Sequence, residues 1–140
     1  MIDRFTGDYA FLSNFAVSRI EMDGLIYPTV EHAYQAAKTL NAQQRGVIRV
    51  AMTPGKAKRL GRKVDMRPDW HKMKLDIMSE LVAKKFEIPE LAAKLIDTGE
   101  HELIEGNYWN DTYWGMCNGK GSNNLGIILM NTRHDIRGVR

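Results

Sequence analysis

Glu31, Gln35 and Lys38 fall at positions i, i+4 and i+7 of the stretch VEHAYQAAK, with Tyr34 beside them. In a helix that spacing puts a carboxylate, an amide and an amine on one stripe. Such a trio can grip a sugar or a nucleotide. The same residues would serve equally as a solvated face, where a Glu–Lys interaction contributes only about a few tenths of a kcal/mol. Val30, Ala33 and Ala37 lie nearer the other side and are suited to packing.

A second chemical signal is EGNYWNDTYWG (105–115), where four large aromatics stand among two asparagines, two carboxylates and two glycines. Aromatic faces grip flat rings or sugars, while amides and carboxylates orient hydroxyls, so the composition suits a binding loop. A surface loop pinned by two inward tryptophans fits as well. In GDYAFLSNF (7–15), Phe11 and Phe15 are expected to anchor the core, although with Tyr9 they also suit a platform for a stacked base. Ser13 and Asn14 read as caps or turn formers. Gly119, Gly121 and Ser122 precede a helix start and are compatible with an anion lying against free N–H groups.

The four histidines are scattered without metal-ligand spacing, so neither a metal site nor a cofactor is implied. The single cysteine, Cys117, reads as a small unreactive side chain and fits a reducing cytosol. No apolar run approaches the roughly 20 residues of a membrane span, and the N-terminus lacks a signal-peptide layout. A cytoplasmic protein is expected.

These groups need a scaffold. The chain has 140 residues, 44% hydrophobic and 26% charged, consistent with one soluble domain over 1–140. VSRIEM (17–22) alternates as a strand, and Asp23-Gly24 before LIY signals a hairpin with a type I′ turn. Thr29 and Thr53-Pro54 are helix-start signals. The strongest amphipathic period runs from Pro68 to Phe86, and Ile88-Pro89 opens a further helix closed by Gly99. HELIEG (101–106) suggests a short strand, and Ser122 or Asn123 would cap a last helix with Leu125, Ile128 and Leu129 facing inward. The expected class is α+β, mainly α, with a small β-hairpin.

Charge is uneven. Arg45 to Lys74 holds ten Lys or Arg against Asp65 and Asp69, a local +8, whereas the remainder of the chain sums to −5. A basic segment on an acidic remainder suits phosphate in a ligand, or else a solvated helical face.

Five stretches in this order resemble the NADAR (YbiA-like) family: GDYAFLSNF, YPTVEHAYQAAK, RPDW with the later KF, LIDTG with LIEGNYWNDTYWG, and GSNNLGIILMNTR. One departure is Ala16, where an aromatic is expected. The resemblance spans nearly the whole chain. It implies a mainly helical N-glycosidase acting on ribosylated substrates, either phosphorylated ribosylamino-pyrimidine intermediates of riboflavin synthesis or guanine in nucleic acid carrying ADP-ribose. In both, ribose C1 is bonded to an exocyclic amine.

Under that resemblance, Lys38 would form a Schiff base with the opened sugar while Glu31 moves protons. A rival route has Asp111 or Glu105 activating water while Glu31 protonates the leaving base. Trp109 and Trp114 would wall in the base, Asn14, Asn110 and Asn123 would orient the ribose, and Tyr34 and Gln35 would complete the substrate contacts. Two other classes stand beside the enzyme: a non-catalytic module binding ADP-ribose or a related nucleotide, and a basic nucleic-acid-binding domain using Arg45–Lys74.

Overall fold

The structure is a computed structural model describing residues 1–138. Those residues group into two compact units, one of Asn14–Lys85 and one of Met1–Ser13 with Phe86 onward. The architecture is mainly helical with small β elements, as the sequence pattern implies.

The Asn14–Lys85 unit begins with a hairpin of β1 (Val17–Met22) and β2 (Leu25–Thr29), paired antiparallel with Met22 opposite Leu25. Asp23 and Gly24 both take positive φ, 52° and 84°, as a type I′ turn requires. The register slips between Val17 and Ile20, where Arg19 has φ 45°. This bulge was not signalled by the alternating pattern.

β2 runs directly into α1 (Val30–Ala37), because Thr29 in extended conformation caps the helix. Its hydroxyl accepts from the His32 backbone N–H at 3.0 Å and lies 2.8 Å from His32 Nδ1. The other ring nitrogen, Nε2, lies 3.0 Å from the Ala51 carbonyl. Nε2–H therefore donates to that carbonyl and Nδ1 accepts from the threonine hydroxyl. Next come α2 (Ala42–Arg49), capped by Asn41, and α3 (Pro54–Gly61), capped by Thr53 with Pro54 in the first turn. The capped start of α3 follows the sequence signal, whereas α2 was not among the elements expected from sequence. α4 (Trp70–Lys85) closes the unit two residues inside its expected start. α1 packs against α2, α3, α4 and both strands, and all eight of its residues are buried.

In the other unit, Gly7–Leu12 forms a 3-10 helix, where sequence suggested no regular element. Leu12 is its buried residue. Phe15, which belongs to the Asn14–Lys85 unit and was expected in the core, is 44% exposed. Phe11 is half-buried and meets Phe86 edge-on at 6.5 Å. α5 (Pro89–Asp97) packs on α6 (Asn124–Gly138), and Gly99 beyond α5 takes the expected positive φ of 67°. Arg133 of α6, itself buried, donates to Thr98 Oγ1 at 2.8 Å and to the His101 carbonyl at 2.9 Å. Leu125, Ile128 and Leu129 face inward, and Cys117 is buried. HELIEG supplies an isolated parallel bridge, Leu103 to Ile2, and then β3 (Gly106–Asn107), which pairs parallel with β4 (Met116–Cys117). Among the described residues, no helix is long and apolar enough to cross a membrane.

Lys85 is only 1% exposed, and burial pushes its ammonium down to about 7 from an ordinary 10.5. Between those pH values the unfolded chain binds more protons at this site than the folded one. Stability should therefore rise with pH across that window, and the full burial penalty should apply below it. Replacing Lys85 with Met removes this contribution, on the order of 4 kcal/mol across the window. Urea unfolding at pH 7 and pH 10 should show the variant's advantage over wild type shrinking at the higher pH. Parallel stabilities at the two pH values would show that the amine is not desolvated.

Candidate functional site

Helix α1 carries Glu31 and Gln35, and Lys38 at its C-terminal cap, the candidate chemical groups of the Asn14–Lys85 unit. Glu31 is 8% exposed and Gln35 4%, so neither belongs to a solvated face. Gln35 Nε2 donates to Glu31 Oε2 at 2.6 Å, one turn away. The Glu31 backbone N–H donates to the Asn14 carbonyl at 3.1 Å, and the buried Asn14 amide reaches Met78 Sδ at 3.5 Å. Asn14 thus tethers the first turn of the helix. Tyr34 is buried with its ring against Trp70, centroids 5.1 Å apart and planes at 54°. The Lys38 amine stands 6.0 Å from the centre of the Tyr34 ring, which forms an aromatic floor beneath it.

Lys38 sits at the C-terminal cap of α1, where the chain leaves the enclosed helix. Its carbonyl accepts from the Arg67 N–H at 2.7 Å, so its backbone is held on the far side as well. Burial lowers the basicity of its amine. The Glu31 carboxylate opposes that shift, and the positive charges of Arg62, Lys58 and Lys74 add to it. A desolvated amine among like charges is more readily stripped of its proton, as a nitrogen nucleophile requires.

The surrounding cations come mainly from α3 and the turn after it. Arg45 pairs with Asp23, Arg67 with Asp69 and Lys84 with Glu21. Among the described residues, Lys56, Lys58, Arg59, Arg62 and Lys63 have no carboxylate partner within salt-bridge distance. Lys56, Arg59, Leu60, Arg62 and Lys63 line a surface recess of about 330 Å³.

The aromatic loop belongs to the other unit and is organised by its own polar groups. Asp111 Oδ1 accepts the backbone N–H groups of Tyr113 at 3.1 Å and Trp114 at 2.9 Å. Asn107 bridges the loop, donating to the Asp111 carbonyl at 2.9 Å and to Glu105 Oε2 at 3.1 Å while accepting from the Asp111 N–H at 3.0 Å. A Cβ on Gly115 would lie 2.1 Å from the Glu105 backbone carbonyl oxygen, so the chain can pass there only as glycine. Asn110 takes φ 65°, the left-handed geometry that asparagine tolerates at a turn. Trp109 is 51% exposed and stands edge-on to Tyr108, whereas Trp114 is half-buried and stands edge-on to Tyr113. Asn123 is buried, and its carboxamide is spent internally: Nδ2 donates to the Leu103 carbonyl and Oδ1 accepts the Glu105 N–H, each at 2.9 Å.

The anion site expected around Gly119, Gly121 and Ser122 is not formed by free amides. The N–H groups of Ser122, Asn123, Asn124 and Leu125 donate to the carbonyls of Thr112, Gly115, Tyr113 and Trp114. The loop's own backbone satisfies the start of α6, where an anion would otherwise bind.

The NADAR domain model matches residues 4–137. The chain belongs to the NADAR family. It is 41% identical to the N-glycosidase YbiA of Shigella boydii over 133 residues, covering 92% of this chain and 82% of that protein. It is 35% identical to a chloroplastic riboflavin biosynthesis protein of Zea mays, covering 94% of this chain but only 24% of that longer protein. The NMR structure of Escherichia coli YbiA superposes with a TM-score of 0.86 at 37% identity, covering 99% of this chain and 88% of that one. Family membership at this identity makes the chain an N-glycosidase, a hydrolase of N-glycosyl compounds.

The stripe Glu31–Gln35–Lys38 was legible from helical spacing, but Trp70, Lys58, Arg62 and Lys74 were not assigned to it. The +8 segment was the trace of the three cations in the sequence and RPDW that of Trp70, and neither charge counting nor a motif gives direction in space. The loop bonds of Asp111 are directly testable. Asp111→Ala should cost about 1 kcal/mol of stability through lost capping, while Asp111→Asn, which keeps an acceptor oxygen, should cost less. Equal thermal stability of the alanine variant and wild type would overturn that structural role.

Proposed function

We propose that the enzyme hydrolyses the bond between ribose C1 and an exocyclic amine of a phosphorylated ribosylated substrate, with Lys38 as nucleophile and Glu31 as general acid/base. The observation that carries this reading is the buried Glu31–Gln35 pair on the same enclosed helix that presents the Lys38 amine over Tyr34. A solvated helical face would have no reason to desolvate a carboxylate.

The chemistry follows from the linkage. A glycosylamine opens its sugar ring to an imine between C1 and the base nitrogen. The neutral Lys38 amine adds to C1, and Glu31 transfers a proton to the departing amine, which leaves with the C1–N electron pair. Lys38 then holds C1 as an imine, and water adds to free the sugar and restore the amine. The net reaction is substrate plus water to free sugar plus base. The lowered basicity of Lys38 supports the first step, since an ammonium cannot attack. The unpaired cations Lys56, Arg59, Arg62 and Lys63 supply charge suited to substrate phosphate. In the other unit, Asp111 Oδ1 is already engaged with two backbone N–H groups, which favours the Lys38 route over one in which Asp111 activates water.

Two substrate classes carry the required linkage: phosphorylated ribosylamino-pyrimidines and guanine bearing ADP-ribose in nucleic acid. The name of the maize relative favours the first. Incubation with each, followed by mass spectrometry of released base, is expected to give release from the pyrimidine compound. Release from the modified nucleic acid alone would replace that substrate assignment, and release from neither would overturn the reading.

Borohydride added during turnover should reduce the imine and leave the sugar on Lys38. Lys38→Arg keeps the charge but cannot form the imine. It should trap nothing and lose about three orders of magnitude or more in kcat. Near-normal turnover in that variant would overturn the nucleophile assignment. The pH profile gives a second measure. Arg62 helps to hold the amine's basicity down, so Arg62→Gln lets it rise and should move the acid limb of kcat/KM to higher pH. An unmoved or lowered limb would contradict the electrostatic role of Arg62.

A further inference from the structure

We propose that Gly61 is a positioning residue for this reaction: the bare face of α3 at that point gives the Gln35 carboxamide the room it needs to hold Glu31. The inference rests on the role given to Glu31 above. Gly61 and Ala57 are the buried residues of α3, one turn apart, and α3 packs against α1. Ala57 accommodates a methyl group there. A Cβ on Gly61 would lie 1.9 Å from Gln35 Oε1, 2.8 Å from its Cδ and 3.1 Å from its Cβ. The atoms in the way are the carboxamide oxygen and Cδ, with Cβ in a tight contact, and Gln35 is too buried for its side chain to swing out to solvent.

Backbone conformation does not demand the glycine, since Gly61 is not among the positive-φ residues. Glycine is among the poorest helix formers, so its presence in the last turn of a helix of eight residues weakens that helix. The compensating gain is at Gln35. Its Oε1 is buried without a hydrogen-bond partner against the glycine, while its Nε2 makes the 2.6 Å bond to Glu31 Oε2. The amide is thus wedged: α3 closes the space behind it, and the only bond it makes points to the carboxylate. A methyl group at position 61 would push Gln35 along or off α1, and Glu31 would lose its 2.6 Å hydrogen bond from that amide.

A double-mutant cycle of Gly61→Ala with Gln35→Ala, read in both turnover and thermal stability, tests this. In the wild-type background, Gly61→Ala should lower kcat by about 10- to 100-fold with KM changed less than about threefold, the scale of a misplaced catalytic group. It should also lower the melting temperature. In the Gln35→Ala background the same substitution should cost almost nothing in kcat and should leave stability unchanged or raised, because the obstructed side chain is gone. Ala57→Gly controls for helix propensity and packing: it should lower the melting temperature while leaving kcat within about twofold of wild type. Equal costs of Gly61→Ala in both backgrounds, or a wild-type kcat in the single variant, would overturn the proposal. Failure of the catalytic reading is distinguishable. If Glu31→Gln retains full turnover, the role of Glu31 falls, and the stability cycle still decides whether Gly61 acts on Gln35.

Discussion

Helix α1 is enclosed along its whole length, yet it carries Glu31, His32 and Gln35 among its eight residues. Burying polar groups is unfavourable unless each finds a partner, so the elements around α1 are constrained by what those groups need. Thr29 meets His32 from the hairpin side and the Ala51 carbonyl meets it from the other. Glu31 is met by Gln35, and the backbone at Glu31 is tied to Asn14. The helix is therefore a polar strut inside an apolar shell. Its cap residue, Lys38, is the point where it opens toward the cations of the basic segment.

That arrangement explains why an unremarkable net charge hides a strongly polarised unit. The hairpin's Asp23 and Glu21 neutralise Arg45 and Lys84 at the edge, and Asp69 neutralises Arg67. The cations of α3 and the turn after it are left uncompensated. Their repulsion disfavours a protonated Lys38, while burial does so independently. In the proposed mechanism the charge that would attract phosphate also favours the neutral Lys38 amine, so binding and activation would share one electrostatic source.

The aromatic loop uses its polar residues differently. In EGNYWNDTYWG, the side chains of Asn107 and Asp111 are directed at the loop's own backbone. The carbonyls of residues 112–115 then cap the start of α6. Outward the loop presents Tyr108 and Trp109, the most open of its rings, beside exposed Asn110 and Thr112. A composition that looked like a set of ligand handles is largely the internal bracing that holds a short aromatic surface in shape.

Helical spacing was enough to place Glu31, Gln35 and Lys38 on one stripe, the Asp-Gly turn was enough for the hairpin, and Thr29 and Thr53 marked two helix starts correctly. These features are local: each depends on residues a few positions apart and on backbone preferences that hold in any fold. The ordered motifs likewise carried the family. The sequence did not show that the stripe is buried, because periodicity alone cannot reveal packing on every side of a helix. It misplaced Phe15 and allowed an anion at Ser122, because exposure and free amides depend on which distant segment arrives first. Tertiary packing alone decided that Arg62 and Lys58 crowd Lys38 and that Gly61 makes room for Gln35. These interactions join residues 20 or more positions apart, and no local rule measures the distance between them.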